Sequence, residues 1–368
     1  MTFSATDSLY MAHAIALAKK GWYTTRSNPR VGCLLVLNEQ VIGEGWHQKA
    51  GLPHAEVNAI ADAKSKGFSV EGSTAYVTLE PCAHFGKTPP CAQTLIDNNV
   101  AKVICAMQDP NPLVAGKGID MLRAAGIEVA CGLLQSQAEA LNLGFIKRMK
   151  RGLPRVVAKI AVSVDGRTAM ADGQSQWITG AAAREDVQRL RAESGAVLTG
   201  SGTMMLDNPA LNVRDERYIT ASFFEQPLRV VINSKQPLDS EAKFFKQEGN
   251  IWIVSNQIQT GKYPEHVCEK QLSSMSDGRV SIQSLLEELA QAGINDLLVE
   301  AGATLLGAML EQQMVDELII YMAPKLMGSQ ARALAQLPFD SMNQSINLTL
   351  MDIRQLDQDI RFHYKVIK

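Results

Sequence analysis

Apolar residues recur at helical spacing at Met11, Ala14, Ile15 and Ala18, which predicts an opening helix with one buried face. The apolar run 31–37 ends at Asn38 and predicts a buried strand and a turn, with 41–46 as the second strand of a hairpin. Helix is then expected over 54–66, strand over 75–79, helix over 91–99, strand over 103–107, helix over 118–125 and strand over 127–130. This alternation predicts a three-layer α/β arrangement around a mixed or mostly parallel sheet.

Residues 147–154 read as a linker, and a second alternating region follows. Strands are expected at 156–162, 196–199, 229–232, 251–254 and 297–299, and helices at 181–191, around Ile282, Leu285, Leu286 and Leu289, and from Thr304 onward. Residues 214–227 carry little pattern and read as a long surface loop. A chain of 368 residues is long for one core and comfortable for two, so domains of 1–146 and 154–368 are expected.

Charge narrows the function classes. A formal net charge of −2 argues against a general nucleic-acid binder. The short basic run Lys147-Arg148-Met149-Lys150-Arg151 suits a solvated helix end better than a phosphate patch. Six cysteines in a chain this long do not suggest a disulfide framework. No basic segment precedes the first apolar stretch, and no stretch has the apolar length that a bilayer needs, so a cytoplasmic protein without a membrane partner is expected.

The chemistry concentrates in His54-Ala55-Glu56, Thr78-Leu79-Glu80-Pro81-Cys82 and Cys91. One imidazole and two thiolates suit Zn2+, and three protein ligands leave a fourth position for water. Glu56, two residues after His54, can face that water as a proton shuttle, as in zinc deaminases of nucleobases. Cys82 and Cys91 are separated by eight residues, where the commoner motif has two, and the insert holds a further possible ligand, His84. A closed structural site would need four ligands, which leaves His84 as the alternative to an open catalytic position.

Gly86-Lys87-Thr88 mimics the end of a P-loop, but Pro81 stands where the first glycine is required. Lys87 remains either a phosphate contact or a solvated loop lysine. Gly200-Ser201-Gly202-Thr203 and the turn from Glu300 to Gly307 each follow a predicted strand. Backbone N–H groups there could hold a nucleotide phosphate, or the segments could be ordinary tight turns.

With both halves in view, the chain resembles the bifunctional riboflavin-biosynthesis deaminase–reductases. The N-terminal matches are Asn28-Pro29-Arg30-Val31-Gly32-Cys33, Gly45-Trp46-His47, Pro53-His54-Ala55-Glu56, Gly86-Lys87-Thr88-Pro89-Pro90-Cys91 and Gln108-Asp109-Pro110-Asn111-Pro112. The C-terminal matches are Ser163-Val164-Asp165-Gly166-Arg167, Ser175-Gln176-Trp177-Ile178-Thr179, Asp207-Asn208-Pro209-Ala210-Leu211 and Val299-Glu300-Ala301-Gly302. The resemblance implies a cytidine-deaminase-like domain followed by a dihydrofolate-reductase-like domain. It implies Zn2+ on His54, Cys82 and Cys91, Glu56 as the catalytic proton carrier, and NADPH as reductant for a phosphorylated pyrimidine substrate. Asn28, His47, His84 and Lys87 are the nearest candidates for gripping that substrate in the deaminase. Ala161, Trp177, Thr203, Asp207, Ser234 and the turn Gly302, Ala303, Thr304, Leu305, Leu306, Gly307 and Ala308 should hold NADPH. Ser175, Arg191, Leu211, Arg214 and Glu300 should hold the reductase substrate, with Arg191 and Arg214 toward its phosphate. Lys159 and Asp165 are additional reductase candidates, and a homo-oligomer is expected.

Overall fold

Ser4 begins the first helix with a reciprocal cap: its hydroxyl accepts from the Asp7 amide, and the Asp7 carboxylate accepts from the Ser4 amide. The computed structural model describes residues 3–83, 89–233, 238–257, 263–275 and 278–368. They form two compact units, Met1–Gly152 and Leu153–Lys368.

In the first unit, α1 (Ala5–Lys19) buries Met11, Ala14, Ile15, Leu17 and Ala18. The hairpin β1 (Gly32–Leu37) and β2 (Gln40–Trp46) turns at Asn38 and Glu39, whose φ angles of 50° and 62° match the twist of a two-residue hairpin. Then follow α2 (Ala55–Ser65), β3 (Thr74–Val77), α3 (Cys91–Asp97), β4 (Lys102–Cys105), α4 (Lys117–Ala124), β5 (Glu128–Cys131), α5 (Gln135–Leu141) and α6 (Leu143–Arg151). The sheet order is β2-β1-β3-β4-β5, with β1 antiparallel to both neighbours and β3, β4 and β5 parallel. Side chains alternate across a strand. Gly32 meets α1, while Gly45, the register partner of Cys33, meets α2, so the two helices cover opposite faces. A Cβ on Gly45 would lie 2.2 Å from the Ala55 carbonyl, so only glycine lets the first turn of α2 settle onto the sheet.

In the second unit the elements are β6 (Arg155–Ser163), β7 (Arg167–Ala169), α7 (Ala181–Glu193), β8 (Ala196–Gly200), α8 (Ser201–Asp207), α9 (Glu216–Ile219), β9 (Leu228–Ile232), β10 (Ile251–Ser255) and β11 (Val267–Gln271). They continue with α10 (Ile282–Gln291), β12 (Asp296–Val299), α11 (Ala303–Glu311), β13 (Glu317–Ala323), β14 (Arg332–Ala333), β15 (Leu348–Leu356) and β16 (Asp359–Val366). Nine strands form one sheet in the order β11-β10-β9-β8-β12-β6-β13-β16-β15. It is parallel from β11 to β13 and closes with an antiparallel hairpin. Val156, Ala158, Ile160 and Val162 of β6 pack with Leu285, Leu289 and Met309 on one face. Val157 packs with Ala183, Val187 and Leu190 of α7 on the other. Burial on both faces makes these strands read as continuous apolar runs.

Two expectations change. Most of the expected linker is helix: Lys147–Arg151 closes α6, which ends on Gly152 at φ 66°. The expected loop 214–227 contains α9, started by Asp215, whose carboxylate accepts from the Arg217 amide at 3.0 Å. Among the described residues no helix is long and apolar enough to cross a membrane.

Candidate functional site

Three elements of the first unit converge on one point. His54 is the N-cap of α2, Cys82 follows the segment that leaves β3, and Cys91 is the first residue of α3. His54 Nδ1 lies 3.2 Å from Cys91 Sγ and 3.7 Å from Cys82 Sγ, and the three ligand atoms all lie within 4.8 Å of one another. A tetrahedral zinc with ordinary Zn–N and Zn–S bonds sets its N and S ligands about 3.6 Å apart, so the donor set and spacing fit that ion. The Cys91 amide points at Cys82 Sγ at 3.3 Å. A hydrogen bond from Cys91, with a further one from His54, brings the Cys82 thiol down to about 4, which favours the thiolate.

Glu56 sits in the first turn of α2 with only 3% of its surface exposed. Burial, then the charge of Cys82, raises its carboxyl to about 7, and its side chain reaches the Cys91 thiol. A carboxyl held there is suited to take up and return protons near neutral pH. His47 packs edge-on against His54, with ring centroids 5.2 Å apart. Burial holds His47 down to about 4, so the ring is neutral. Its Nδ1 faces the Pro53 carbonyl at 3.2 Å and its Nε2 faces the Asn28 amide nitrogen at 3.0 Å, which fixes the Nδ1–H tautomer.

In the second unit the residues gather at the carboxyl ends of β8, β12 and β6, where open parallel sheets bind ligands. β8 and β12 are neighbours, so their two glycine-containing turns lie side by side. A Cβ on Gly302 would be 3.8 Å from Thr203 Oγ1, and one on Gly200 would be 3.7 Å from Leu305 Cδ2. Beside them, Arg191 clamps Glu300 through Nε at 2.5 Å and Nη2 at 3.0 Å, and donates to the Asn212 carbonyl at 3.1 Å. Lys159 Nζ lies 3.6 Å from Glu300. Burial alone would raise the Glu300 carboxyl, but the charges of Arg191 and Lys159 bring it down to about 2. Burial lowers the Lys159 ammonium against the pull of Glu300. Arg214 is exposed and within reach of the charges of Arg191 and Glu300, while Asp207 also acts on Lys159, so three cations face two carboxylates, a field suited to an anionic ligand.

Comparison with known proteins resolves both halves. Residues 4–107 match the cytidine and deoxycytidylate deaminase zinc-binding region, and residues 154–362 match the RibD C-terminal domain. The riboflavin biosynthesis protein RibD of Haemophilus influenzae is 47% identical, over 99% of this chain and 98% of that one. The chain belongs to the RibD family. The Escherichia coli member is 46% identical over 97% of this chain and 98% of its own. The solved RibD of Acinetobacter baumannii superposes with a TM-score of 0.90 at 45% identity, covering 99% of each chain. A Thermotoga maritima structure described as a diaminohydroxyphosphoribosylaminopyrimidine deaminase/5-amino-6-(5-phosphoribosylamino)uracil reductase does so with 0.87 at 31% identity, covering 98% of this chain and 99% of that one. As in the rest of the family, a cytidine-deaminase-like domain precedes a reductase domain.

The sequence-predicted residues fall into distinct positions in the two units. His54, Glu56, Cys82, Cys91, His47 and Asn28 come together in the first unit. His84, Lys87 and Ser234 lie outside the described residues. Thr203, the turn from Gly302, Lys159, Ala161, Arg191, Arg214 and Glu300 gather at the strand ends of the second. Leu306 and Gly307 of that turn face inward: Leu306 is in the core, and a Cβ on Gly307 would lie 2.0 Å from the Gln336 carbonyl. Asp207 accepts from the Ser175 hydroxyl and, through its carbonyl, from the Gln176 side-chain amide at 3.2 Å, tying Ser175 and Gln176 to the end of α8. Trp177 itself is 64% exposed, with the Arg184 guanidinium 4.6 Å from its ring centre. Leu211 is buried in a left-handed conformation at φ 53°. Asp165 accepts from the Ser163 hydroxyl and from the Met327 and Gly328 amides, so its carboxylate closes a loop.

Sequence reasoning missed two supports. Glu80, buried beside Pro81, accepts from the amides of Asp109, Gly116, Gly118 and Ile119 at 2.9–3.3 Å, docking that segment behind the Cys82 loop. Its position inside the Thr78–Cys82 motif was the available signal. Arg229, with no exposed surface, donates to the carbonyls of Ala210, Phe244, Gln247, Glu248 and Gly249. No sequence signal marked that arginine. A cavity of about 330 Å³ at the opposite end of the large sheet, between Arg155, Asp296, Glu317 and Arg361, contains none of the predicted site residues.

Proposed function

We infer that the chain carries out two steps of riboflavin synthesis in sequence. The first is zinc-dependent hydrolytic deamination of 2,5-diamino-6-(5-phosphoribosylamino)pyrimidin-4-one. The second is NADPH reduction of the ribosyl chain, giving 5-amino-6-(5-phosphoribitylamino)uracil. The observation that carries this reading is the His54–Cys82–Cys91 cluster with Glu56 against it, in a chain whose other unit is the family's reductase domain.

In the deaminase, zinc held by His54, Cys82 and Cys91 would make a water acidic enough to attack C2 of the pyrimidine at neutral pH. Glu56 takes the proton from the attacking water on a carboxylate oxygen. It gives that proton to the ring nitrogen, then moves the proton of the hydroxyl now on C2 to the amine, so that the C–N bond breaks, the C2 carbonyl forms and ammonia leaves. The neutral His47 ring and Asn28, locked to each other, form a rigid wall of this site that lies against the substrate.

In the reductase, bound NADPH would supply the hydride for the ribosyl carbon. The chain contributes position: backbone amides of the Gly302–Leu305 turn toward the cofactor's phosphates, and Arg214 with Arg191 toward the substrate's phosphate. Lys159 Nζ, largely buried and paired to Glu300, is placed to hold a proton for the sugar oxygen that is released from the ring. The chain acts on a small molecule; we further propose that it is a cytoplasmic homo-oligomer with no nucleic-acid or membrane partner.

A coupled assay on zinc-loaded protein tests the assignment. With the diaminopyrimidine ribonucleotide, ammonia release should come first and NADPH oxidation should depend on it. Ammonia without NADPH loss would remove the reductase reading, and folded, metal-loaded protein that does neither would remove both.

A further inference from the structure

Cys105 and Cys131 end two neighbouring parallel strands, β4 and β5, and are direct register partners. Neither belongs to the zinc cluster. Register partners on these strands do meet: Lys102 Nζ lies 2.8 Å from Glu128 Oε1 at the other end of the same pairing. Neighbouring strands run about 4.8 Å apart. That lies inside the Cα separation of about 4.4–6.8 Å that a disulfide spans. The ladder holds the two ends together, since the Gly132 amide donates to the Cys105 carbonyl at 3.0 Å.

The two thiols are unequal in the way a sensing pair requires. Cys131 is exposed, whereas Cys105 is fully buried. The Cys105 thiol donates to the Ala130 carbonyl at 3.5 Å and keeps its proton, and the closeness of the two sulfurs raises the Cys105 thiol and lowers that of Cys131. β5 is a four-residue edge strand, so no further strand covers the outer side of Cys131.

We propose that Cys105 and Cys131 form a reversible oxidation site, closed to a disulfide by a hydroperoxide and separate from the zinc ligands. The Cys131 thiolate attacks one peroxide oxygen, the O–O bond breaks, and hydroxide or alkoxide leaves, giving a sulfenic acid. The Cys105 sulfur then attacks the Cys131 sulfur, the S–O bond breaks, and the Cys105 proton leaves with the hydroxyl as water. The two sulfurs lose two electrons and the peroxide gains them. A thiol reductant reopens the bond. The site is independent of the deaminase and reductase assignments.

The test is hydrogen peroxide titration of the zinc-loaded full chain, followed by alkylation, tryptic digestion and mass spectrometry. Cys105 falls in peptide 103–117 and Cys131 in peptide 124–147, each with a single cysteine. The expected product is these two peptides joined, lighter by two hydrogens than the separate thiols, absent from the Cys131→Ser variant and lost on reduction. Cys268 is an internal comparison, because it is also exposed but its register partner is Trp252. It should stay alkylatable, or pass to sulfinic acid, at peroxide levels that close the pair. Recovery of Cys105 as a free thiol while Cys131 is overoxidised would overturn the proposal. So would zinc release and oxidation of Cys82 and Cys91 before the joined peptide forms.

Discussion

Replacing Glu300 by Gln probes the charge arrangement of the reductase site most directly. The substitution keeps the shape and removes the anion between Arg191 and Lys159. Glu300 has its ordinary value of 4.5 brought down to about 2 in the folded protein. A depressed folded pKa means stability that is complete above the unfolded value and is lost as pH falls through the folded one. The size of that contribution is about 3 kcal/mol at pH 7, falling to about 2 kcal/mol at pH 3.5. Loss of one partner from a buried ion pair costs a similar amount, roughly 3–5 kcal/mol. Hydrogen exchange in urea, read separately for peptides of the two units, measures this with the deaminase peptides as control. E300Q should lower the opening free energy of β6 and β12 by about 3 kcal/mol at pH 7, with the deficit narrowing as pH falls. A deficit below about 1 kcal/mol, or one that does not narrow in acid, would refute the role given to Glu300.

Glu56→Gln should retain zinc, measured by metal analysis, and lower ammonia release by about 10²–10⁴-fold, while NADPH oxidation with the deaminated intermediate persists. Gly118→Ala places a Cβ where the Pro81 carbonyl is only 1.9 Å away, so the Cys82 loop must shift. A loss of roughly 1–3 kcal/mol confined to the deaminase unit is expected in denaturation, together with weaker zinc retention in a chelator competition. Arg214→Ala removes the exposed cation beside the Arg191–Glu300 pair and should raise KM for the phosphorylated substrate about tenfold or more, with KM for NADPH unchanged. An equal rise in both would place Arg214 outside the substrate phosphate site.

Much of the zinc centre was legible because its chemistry is local. His54 and Glu56 share one helical turn, and Cys82 and Cys91 flank one loop, so residue type and spacing carry the signal. The reductase site was less legible. Its turns at Gly200 and Gly302 are about a hundred residues apart in the chain and become neighbours only because β12 inserts between β8 and β6. The hairpin of β15 and β16 escaped a pattern reading because β15 is an edge strand whose residues are nearly all exposed. A strand without a buried face has no alternation to read.

The sequence by itself singled out the clustered His54, Cys82 and Cys91 with Glu56 beside them, the α/β alternation and the division into two cores. Each of these follows from side-chain chemistry or from periodicities that operate over a few residues. Tertiary structure alone decided that Glu300 lies between Arg191 and Lys159, that Glu80 anchors the segment behind Cys82, and that Arg229 is buried among carbonyls. It also set Cys105 beside Cys131. These partnerships join residues far apart in the chain through strand order and register, and the free energy that makes them worthwhile, desolvation of charge against pairing of charge, exists only once the sheet has assembled.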